Sequence, residues 1–350
     1  MQLLISRAEL ARAIGAVHRV VESRNIIPIL SNLKLEAASG ELRITATDLT
    51  ITATVTAQAD IVADGAACVD AKLIGDIAKK SGGDLNIAFE GETMAVKSGR
   101  SRFALKCLPA ADFPTFDDGA YDAEFGADIG ALFAPIAFAI STEETRYWLN
   151  GVYLHNVDGI LTAVATDGHR LARNRGAECP EFAGVIVPSK AVGIIPAGGA
   201  TVSVSGQKMR VAHDDITITT KLIDHTYPDY PRVIPTENPL SVTVDRDEMM
   251  AAADRVVTVS SEKAKAVRLS IAPGSIVFSA RSDIGTAEDE VAAEYSGEPL
   301  EYGLNSAYIR DMLAAMPAGP VTFALRDNAT PAHVTGASEN WDGVLMPMRV

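Results

Sequence analysis

The chain has 350 residues, of which 47% are hydrophobic and 22% charged, a balance typical of a globular protein of two or three domains. Its formal net charge of −14 argues against a uniformly basic surface for nucleic acid, although a basic inner face can coexist with an acidic exterior. Cys68, Cys107 and Cys179 lie far apart without CxxC spacing, which argues against a disulfide framework or a zinc site and favours a reducing compartment.

The N-terminal stretch is not a signal peptide, because Arg7, Glu9 and Arg12 interrupt its apolar residues. The chain has no uncharged apolar run of the roughly 18 residues that a transmembrane helix needs. We therefore expect a soluble cytoplasmic protein.

The first predicted elements are a short strand from Gln2 to Ile5 and a helix from about Arg7 to Val21, with Ser6 as its N-cap. One apolar stripe recurs along this helix at i, i+4, i+7 and i+11, formed by Leu10, Ile14, Val17 and Val21. Equivalent helix patterns span 127–144 and 245–263, and Pro135 should kink or break the first of them.

A second, shorter helix pattern follows in each third of the chain, at 70–84, 187–200 and 304–320, and each pattern ends in Gly or Pro. Strand-like segments come after each of these helices. Helix, strands, short helix and more strands therefore recur three times. This order predicts an α+β fold with antiparallel sheets rather than alternating βαβ units.

The clearest strand pair is a hairpin in the middle of the chain. Its predicted strands run from Val152 to Asn156 and from Ile160 to Ala165, and Asp158-Gly159 between them favours a tight turn. A second turn, Thr166-Asp167-Gly168, follows the second strand.

Weaker copies of this stretch occur at 33–50 and 268–285. Their closing aspartates are Asp48, Asp167 and Asp283, which are 167 − 48 = 119 and 283 − 167 = 116 residues apart. A period of this length suits a whole domain rather than a solenoid unit. We therefore predict three tandem copies of one domain, spanning 1–120, 121–240 and 241–350.

Three such domains in one chain suggest the hypothesis that chains assemble into a ring. A head-to-tail pair of chains would present six domains and twelve helices, with sheets that continue edge to edge on the outside. Helices packed ~8–10 Å apart would line a circumference of roughly 110 Å and enclose a hole about 35 Å across. That hole admits a DNA duplex.

The chain resembles a known family, the bacterial sliding clamps that form the beta subunit of DNA polymerase III. The resemblance covers the whole chain in order, and ATDGHRLA and MPMRV are its most specific parts. The segments that carry it are IIPILSN (26–32), SGRSRFALKCLPAADFP (98–114), RYWLNG (146–151), ATDGHRLA (165–172), YPDYPRV (227–233) and MPMRV (346–350).

The resemblance implies a ring-forming homodimer that encircles duplex DNA without sequence preference and tethers the replicative polymerase alpha subunit. It also implies a separate clamp loader, other polymerases and repair proteins as partners, and no enzymatic activity. The sequence contains no GxxxxGK[ST] loop, so we expect no nucleotide and no other cofactor.

The family has a groove for short peptides between its second and third domains. Carried over by motif, its residues are Arg146, Leu149, Thr166, Gly168, His169, Arg170, Leu171, Pro228, Arg232, Val233, Asn305, Tyr308, Val344, Leu345, Met346, Pro347, Met348, Arg349 and Val350. Adaptable methionines beside apolar and basic groups suit such ligands.

Two further sets of residues follow from the motifs and from position in the repeat. The DNA-facing candidates are Arg24, Lys72, Lys79, Lys80, Tyr147, Trp148, Lys190, Arg246, Lys263 and Lys265. The dimer-interface candidates are Phe103, Leu105, Val257 and Val259. Glu143 departs from the family pattern, in which a neutral polar residue often faces DNA at this position, and a carboxylate there would repel phosphate.

Two other interpretations remain open at this stage. A β-rich hydrolase using Asp167 and His169 would leave unexplained why the aspartate recurs in every repeat while the histidine does not. A paralogous clamp with a role in repair or antibiotic resistance would share all of these motifs. Whether this is the principal clamp, how tightly it dimerises and which peptides it prefers are not decided by the sequence.

Overall fold

The computed structural model describes residues 1–22, 26–116, 119–259, 266–336 and 338–350. The helices are α1 Arg7–His18, α2 Ala71–Lys80, α3 Ile129–Phe133, α4 Ser189–Ile194, α5 Arg246–Val256 and α6 Ser306–Ala314. None of the helices in these ranges is long and apolar enough to cross a lipid bilayer.

The strands in the first half of the chain are β1 Gln2–Ile5, β2 Asn32–Ala38, β3 Glu41–Thr47, β4 Ile51–Gln58, β5 Asp60–Ala63, β6 Gly65–Asp70, β7 Leu85–Glu90, β8 Thr93–Ser98, β9 Ser101–Leu108, β10 Ala123–Ala127, β11 Gly151–Val157, β12 Ile160–Thr166 and β13 Arg170–Glu178. Those in the second half are β14 Val185–Pro188, β15 Ala200–Val204, β16 Lys208–His213, β17 Ile216–Lys221, β18 Leu240–Asp245, β19 Ala266–Ala272, β20 Ser275–Ser282, β21 Gly285–Glu294, β22 Leu300–Asn305, β23 Pro320–Leu325, β24 Ala332–Thr335 and β25 Trp341–Leu345.

The chain forms two compact units, each built on one antiparallel sheet. The first unit comprises residues 1–127 and 193–222, and its strand order is β10-β15-β16-β17-β4-β3-β2-β6-β9-β8-β7-β1-β5. In this unit α1 packs against α2 and against β3 and β4.

The second unit comprises residues 128–192 and 223–350, with the strand order β14-β11-β12-β13-β25-β24-β23-β18-β21-β20-β19-β22. Here α5 packs against α6 and lies on β20 and β21. The middle third of the chain gives strands to both units, because β17 pairs with β4 in one and β13 pairs with β25 in the other. The predicted α+β class with antiparallel sheets is confirmed.

Helix α1 follows the predicted pattern at its start and departs from it at its end. Ser6 Oγ accepts the amide hydrogen of Glu9, and Leu10, Ile14 and Val17 are buried. The helix ends at His18 rather than Val21. The amides of Val20 and Val21 reach back only three residues, to Val17 and His18, which tightens the last turn and buries Val20 in place of Val21.

Pro135 breaks the second helix as predicted, since α3 ends at Phe133 and a separate 3₁₀ turn follows at Ala137–Ala139. The predicted hairpin is also present. Asp158 and Gly159 adopt φ angles of 51° and 85°, the left-handed pair that a two-residue turn between twisted strands needs. The Gly159 amide donates to Asn156 Oδ1 at 2.9 Å.

Helix α2 carries three of the predicted DNA-facing lysines, and its start depends on one side chain. Asp70 is the N-cap, and its carboxylate accepts the Leu73 amide hydrogen at 2.8 Å. Asp70→Ala should lower the free energy of unfolding by about 1 kcal/mol, measured by urea denaturation, because it leaves that amide without its cap.

Asp76→Ala is the matched control on the same helix. Its carboxylate makes only a 3.9 Å contact with exposed Lys80, so its loss should change the free energy by less than about 0.5 kcal/mol. Equal effects of the two substitutions would contradict the capping role.

Candidate functional site

The second unit contains a tight turn at Thr166–Arg170 that organises the candidate groove. Thr166 Oγ1 accepts the Gly168 amide hydrogen and donates to the Arg170 carbonyl. One Asp167 oxygen accepts the amides of His169 and Arg170 at 2.8 and 3.0 Å. These short-range bonds use the polar side chains to hold the backbone, which is the Asx- and ST-turn chemistry expected of Asp and Thr.

Gly168 has a φ of 88°, and a Cβ at this position would lie 2.7 Å from Arg146 Nη1. The glycine therefore lets the Arg146 guanidinium lie directly against the turn. Arg146 is paired in turn with Glu143, whose carboxylate also accepts from Thr145 Oγ1 at 2.6 Å. Hydrogen bonds from Thr145 and Arg146 lower the pKa of Glu143. The negative charge that departs from the family pattern thus has a cationic partner within four residues.

The floor of the candidate groove is apolar and buried. Leu149, Leu171 and Val344 pack together with Val164, Ile186, Tyr227 and Tyr230, and Trp148, Tyr153, Ile223 and Ile234 cover the cluster in part. These side chains come from separate strands, from the 3₁₀ turn at 144–149 and from the connector after β17. A floor of this apolar composition offers a ligand a surface for hydrophobic contact.

Arg170 fixes one wall. Its guanidinium pairs with Asp167 at 3.1 Å and with Asp311 at 2.8 Å, and it lies 4.6 Å from the centre of the Tyr308 ring. His169 stacks on the same ring, with centroids 6.1 Å apart. Asn305 caps the helix that carries Tyr308 by accepting the Ala307 amide hydrogen. Arg170 is therefore a structural residue of the wall, while His169 is exposed.

The segment from Met346 to Val350 forms the opposite wall. The Met346 amide donates to the His169 carbonyl at 2.9 Å, and the Met348 amide donates to the Gly303 carbonyl at 2.8 Å. Gly303 has no room for a side chain, because a Cβ would lie 2.2 Å from the Met348 carbonyl oxygen. Met346 and Met348 remain 38% and 36% exposed, so flexible thioethers face solvent along this wall.

The connector after β17 supplies the remaining predicted groove residues. Pro228, Arg232 and Val233 are exposed, while Tyr227 and Tyr230 anchor the segment in the floor. Arg232 forms a surface ion pair with Asp229 at 2.6 Å. Leu345 and Pro347, by contrast, are buried and half-buried behind the wall.

A buried polar network lies behind the floor. Asp342 is 3% exposed and accepts hydrogen bonds from Arg173 at 2.8 and 3.0 Å and from Arg175 at 3.0 Å. His333 Nε2 lies 3.2 Å from its other face. Burial opposes ionisation of Asp342, but hydrogen bonds from His333 and Arg173 outweigh it and lower its pKa.

The network continues to the other side of the floor through Tyr230, whose hydroxyl lies 3.1 Å from His155 Nε2. Burial, assisted by the positive charge of Arg173, lowers the pKa of His155 to about 4. His155 is therefore neutral at pH 7. Local sequence could not have identified this network, because its members come from distant strands.

The predicted DNA-facing residues fall into four groups. Lys72, Lys79 and Lys80 lie exposed on α2, and Lys190 lies half-buried on α4. Tyr147 is 48% exposed, whereas Trp148 stacks on His225 with centroids 4.5 Å apart. Arg246 is bound to Asp247 and to the Met316 carbonyl, so its charge is already partnered. Arg24, Lys263 and Lys265 lie outside the described residues.

The predicted dimer-interface residues lie on both units. Phe103 and Leu105 are on one face of β9, 37% and 9% exposed respectively. Val257 and Val259 are half-buried in the 3₁₀ turn after α5.

The hydrolase interpretation receives no support from this geometry. Asp167 is engaged by two backbone amides and by Arg170, while His169 turns to Tyr308. The described residues contain no cluster of three His, Cys, Asp or Glu side chains that could hold a metal ion.

Sequence reasoning missed His225, Phe138 and Asp311, all of which contact predicted site residues. None of the three belongs to a quoted motif. His225 lies two residues before the Pro-rich segment that begins at Tyr227, and Phe138 and Asp311 fall within the predicted helix patterns at 127–144 and 304–320, but none of these signals indicates the contact.

Three helix-and-sheet repeats and a groove of this kind define a clamp-type protein. Family models of the DNA polymerase III beta subunit match residues 1–117 (N-terminal domain), 128–229 (central domain) and 231–349 (C-terminal domain). The beta sliding clamp of Caulobacter vibrioides is 40% identical over the full length of both chains. The chain belongs to the DNA polymerase III beta subunit family and is a sliding clamp.

Solved structures agree with this assignment. The sliding clamp of Bartonella birtlesii, bound to griselimycin, is 38% identical and superposes with a TM-score of 0.95 over all of both chains. The Caulobacter crescentus clamp, with a polyethylene glycol bound to its putative beta-motif tethering region, is 38% identical with a TM-score of 0.94 and covers 100% of this chain and 99% of that one.

Acidification should destabilise the protein through His155. Its folded pKa of about 4 lies below its ordinary value of 6.5, so between these values the unfolded chain binds more protons and stability rises with pH. From pH 7 to pH 5 the free energy of unfolding should fall by about 2 kcal/mol at this residue. Urea denaturation at both pH values measures the loss.

His155→Asn is the control, because it removes the titrating group and should abolish about 2 kcal/mol of this pH dependence. Between pH 7 and pH 5 Asp342 does not add to the change in unfolding free energy, because its lowered pKa makes it lose stability only at more acidic pH. An unchanged pH dependence in the variant would show that His155 titrates normally.

Proposed function

We propose that this clamp encircles duplex DNA as a closed homodimeric ring and tethers the replicative polymerase, without catalytic activity of its own. The observation that carries the proposal is the groove in the second unit, where an apolar floor, a fixed arginine wall and two exposed methionines converge. Such a surface suits short apolar peptides from several partners. The partners are the polymerase alpha subunit, the clamp loader, other polymerases and repair proteins.

The ring proposal rests on open strand edges. Strand β9 pairs with β8 from Ser101 to Lys106 but with β6 only at Cys107 and Leu108. Strand β21 pairs with β20 from Gly285 to Ala292 but with β18 only at Ala293 and Glu294. Such edges recruit further strands. We assign the dimer interface to β9 with Phe103 and to the third domain near Val257 and Val259, with domains at 1–120, 121–240 and 241–350.

DNA contact is assigned mainly to the exposed lysines Lys72, Lys79 and Lys80 on α2 and to Tyr147. Contacts of this kind address phosphate rather than base edges, so they are weak and independent of sequence. The weakness allows sliding, since the closed ring alone retains the protein on DNA. A cytoplasmic location is consistent with three free thiols.

Glu143 and the divergent third repeat suggested a paralogous clamp as the alternative. The pairing of Glu143 with Arg146 and Thr145 gives that carboxylate local partners. We retain the principal clamp as the proposal, and the number of clamp genes in the genome distinguishes it from a paralogue.

Light scattering at micromolar concentration tests the ring. The expected mass is about twice 36.9 kDa, and Phe103→Asp should convert the protein to the monomer by placing charge on the β9 face. Arg102→Asp, on the opposite face of the same strand, is the control and should remain dimeric.

With the clamp loader and ATP, the wild type should stay on nicked circular DNA and slide off linear DNA.

A strict monomer at all concentrations would overturn the closed ring. Equal retention on circular and linear DNA would overturn topological binding, whatever the oligomeric state.

Gly303→Ala tests the groove. The added Cβ would displace the Met348 carbonyl and with it the wall from Met346 to Val350, so affinity for a fluorescein-labelled alpha-subunit peptide should fall about tenfold. Gly15→Ala is the matched control, because a Cβ there meets nothing within 4 Å. Fluorescence anisotropy measures both. Unchanged affinity in Gly303→Ala would remove this wall from the site.

A further inference from the structure

The first unit contains a second copy of the turn that organises the groove. Thr47 Oγ1 accepts the Leu49 amide hydrogen and donates to the Ile51 carbonyl, as Thr166 does in the other turn. One Asp48 oxygen accepts the amides of Thr50 and Ile51 at 2.9 and 2.6 Å. Every one of these bonds has its counterpart at 166–170, shifted by 119 residues.

The neighbouring strand is also equivalent. The Lys221 amide donates to the Thr50 carbonyl at 2.9 Å, just as the Met346 amide donates to the His169 carbonyl. The strand registers agree, since Ile51 lies opposite Thr220 where Arg170 lies opposite Leu345. Lys221 therefore occupies in the first unit the place that Met346 occupies in the groove wall.

The first unit also has an apolar cluster built from segments equivalent to those of the groove floor. Ile29, Leu30, Cys68 and Phe113 form a buried cluster, with Ala110 against it. Leu30 belongs to a 3₁₀ turn, Pro28–Ser31, that enters β2, as Leu149 belongs to the 3₁₀ turn Glu144–Leu149 that enters β11. Phe113 comes from the connector after β9, the counterpart of the Tyr230 connector.

Beside these elements is an open cavity of about 500 Å³, within the range of sites for small ligands. Its lining residues are Thr47, Leu49, Thr52, Pro114, Thr115, Phe116, Gln207, Lys208 and Lys221. The cavity therefore joins the turn, the connector and the ends of β16 and β17, the same kinds of segment that build the groove.

Leu49 is the unusual residue of this cavity. Its φ is 74°, in the left-handed region where the equivalent Gly168 has 88°. A leucine pays for that conformation in steric strain that a glycine avoids, and strain of this kind concentrates at functional sites. Its side chain is 42% exposed and lines the cavity, so the strained residue presents an apolar surface to a ligand.

The charge of the cavity distinguishes it from the groove. Lys221 lines it, and no carboxylate is among its described lining residues, in a chain of net charge −14. In the groove, by contrast, Arg146 and Arg170 are already paired with acidic side chains. An acidic ligand thus gains more from the cavity than from the groove.

We propose that this cavity is a second peptide-binding site, which takes a short segment of a partner protein with an apolar side chain beside a carboxylate. The apolar side chain packs on Leu49 and Phe116, and the carboxylate meets Lys221. The site stands on its own geometry and does not require the groove to bind peptides.

Calorimetric titration of the full-length protein tests the proposal with three probe peptides, Gly-Asp-Phe-Leu-Asp-Gly and its versions with Asn or Lys in place of both Asp residues. Lys221→Ser and Leu49→Gly should each weaken binding of the acidic peptide at the cavity at least tenfold. Lys97→Ser, an exposed lysine on β8, should leave it unchanged. The Asn and Lys peptides should bind the cavity at least tenfold more weakly than the acidic one.

Gly303→Ala changes the groove alone, so the groove proposal and the cavity proposal can be tested independently of each other. If the acidic peptide binds only where Gly303→Ala removes it, the cavity proposal is wrong and the groove proposal survives. Three further outcomes would overturn the cavity proposal. Equal binding of the Lys peptide would show that the cavity does not select by charge, and displacement of the acidic peptide by a 20-base-pair duplex would indicate a phosphate site. A change of mass in Lys221→Ser would indicate a contact between copies of the chain. Leu49→Gly should keep its melting temperature within about 3 °C, which excludes unfolding as the cause.

Discussion

The second unit depends on the pairing of β13 with β25, and the buried ion pair between Arg173 and Asp342 fixes that pairing. The two residues lie opposite each other in the register although they are 169 residues apart in the chain. Removing Asp342 would leave the Arg173 guanidinium without its carboxylate partner, which is strongly destabilising for a pair shielded from water. Removing Arg173 would cost less, because Arg175 and His333 still face Asp342. A slip of one residue would also turn every side chain of β25 to the wrong face. The pair therefore selects one register.

From that register the groove follows by simple geometry. Leu171 and Val344 become neighbours on the floor, and β25 ends where its next residue, Met346, meets the His169 carbonyl. The turn at 166–170 needs only local side chains, but its position against the tail is set by the strands. A local motif and a long-range strand pair thus have to agree before a binding surface exists.

This division also explains what the sequence could and could not predict. The Asp158-Gly159 hairpin, the Ser6 cap and the break at Pro135 depend on a few adjacent residues, so they were predictable from the sequence. The stacking of Trp148 on His225 depends on contacts between distant segments, which residue patterns do not encode. The groove residues were reached through family resemblance. The turn at 47–51 was predictable as a copy of the one at 166–170 from the spacing of Asp48 and Asp167, but its surroundings depend on packing between distant segments.

The two Asp-Gly turns of the central hairpin region have a further chemical consequence. Asp-Gly peptides age by attack of the glycine nitrogen on the aspartate side chain, which yields a succinimide and then isoaspartate. In Asp158-Gly159 that nitrogen donates to Asn156, and in Asp167-Gly168 it donates to Thr166. Because attack requires the nitrogen to lose its proton, these hydrogen bonds oppose the reaction while the turns stay folded. The same bonds that shape the turns therefore slow this route of chemical ageing.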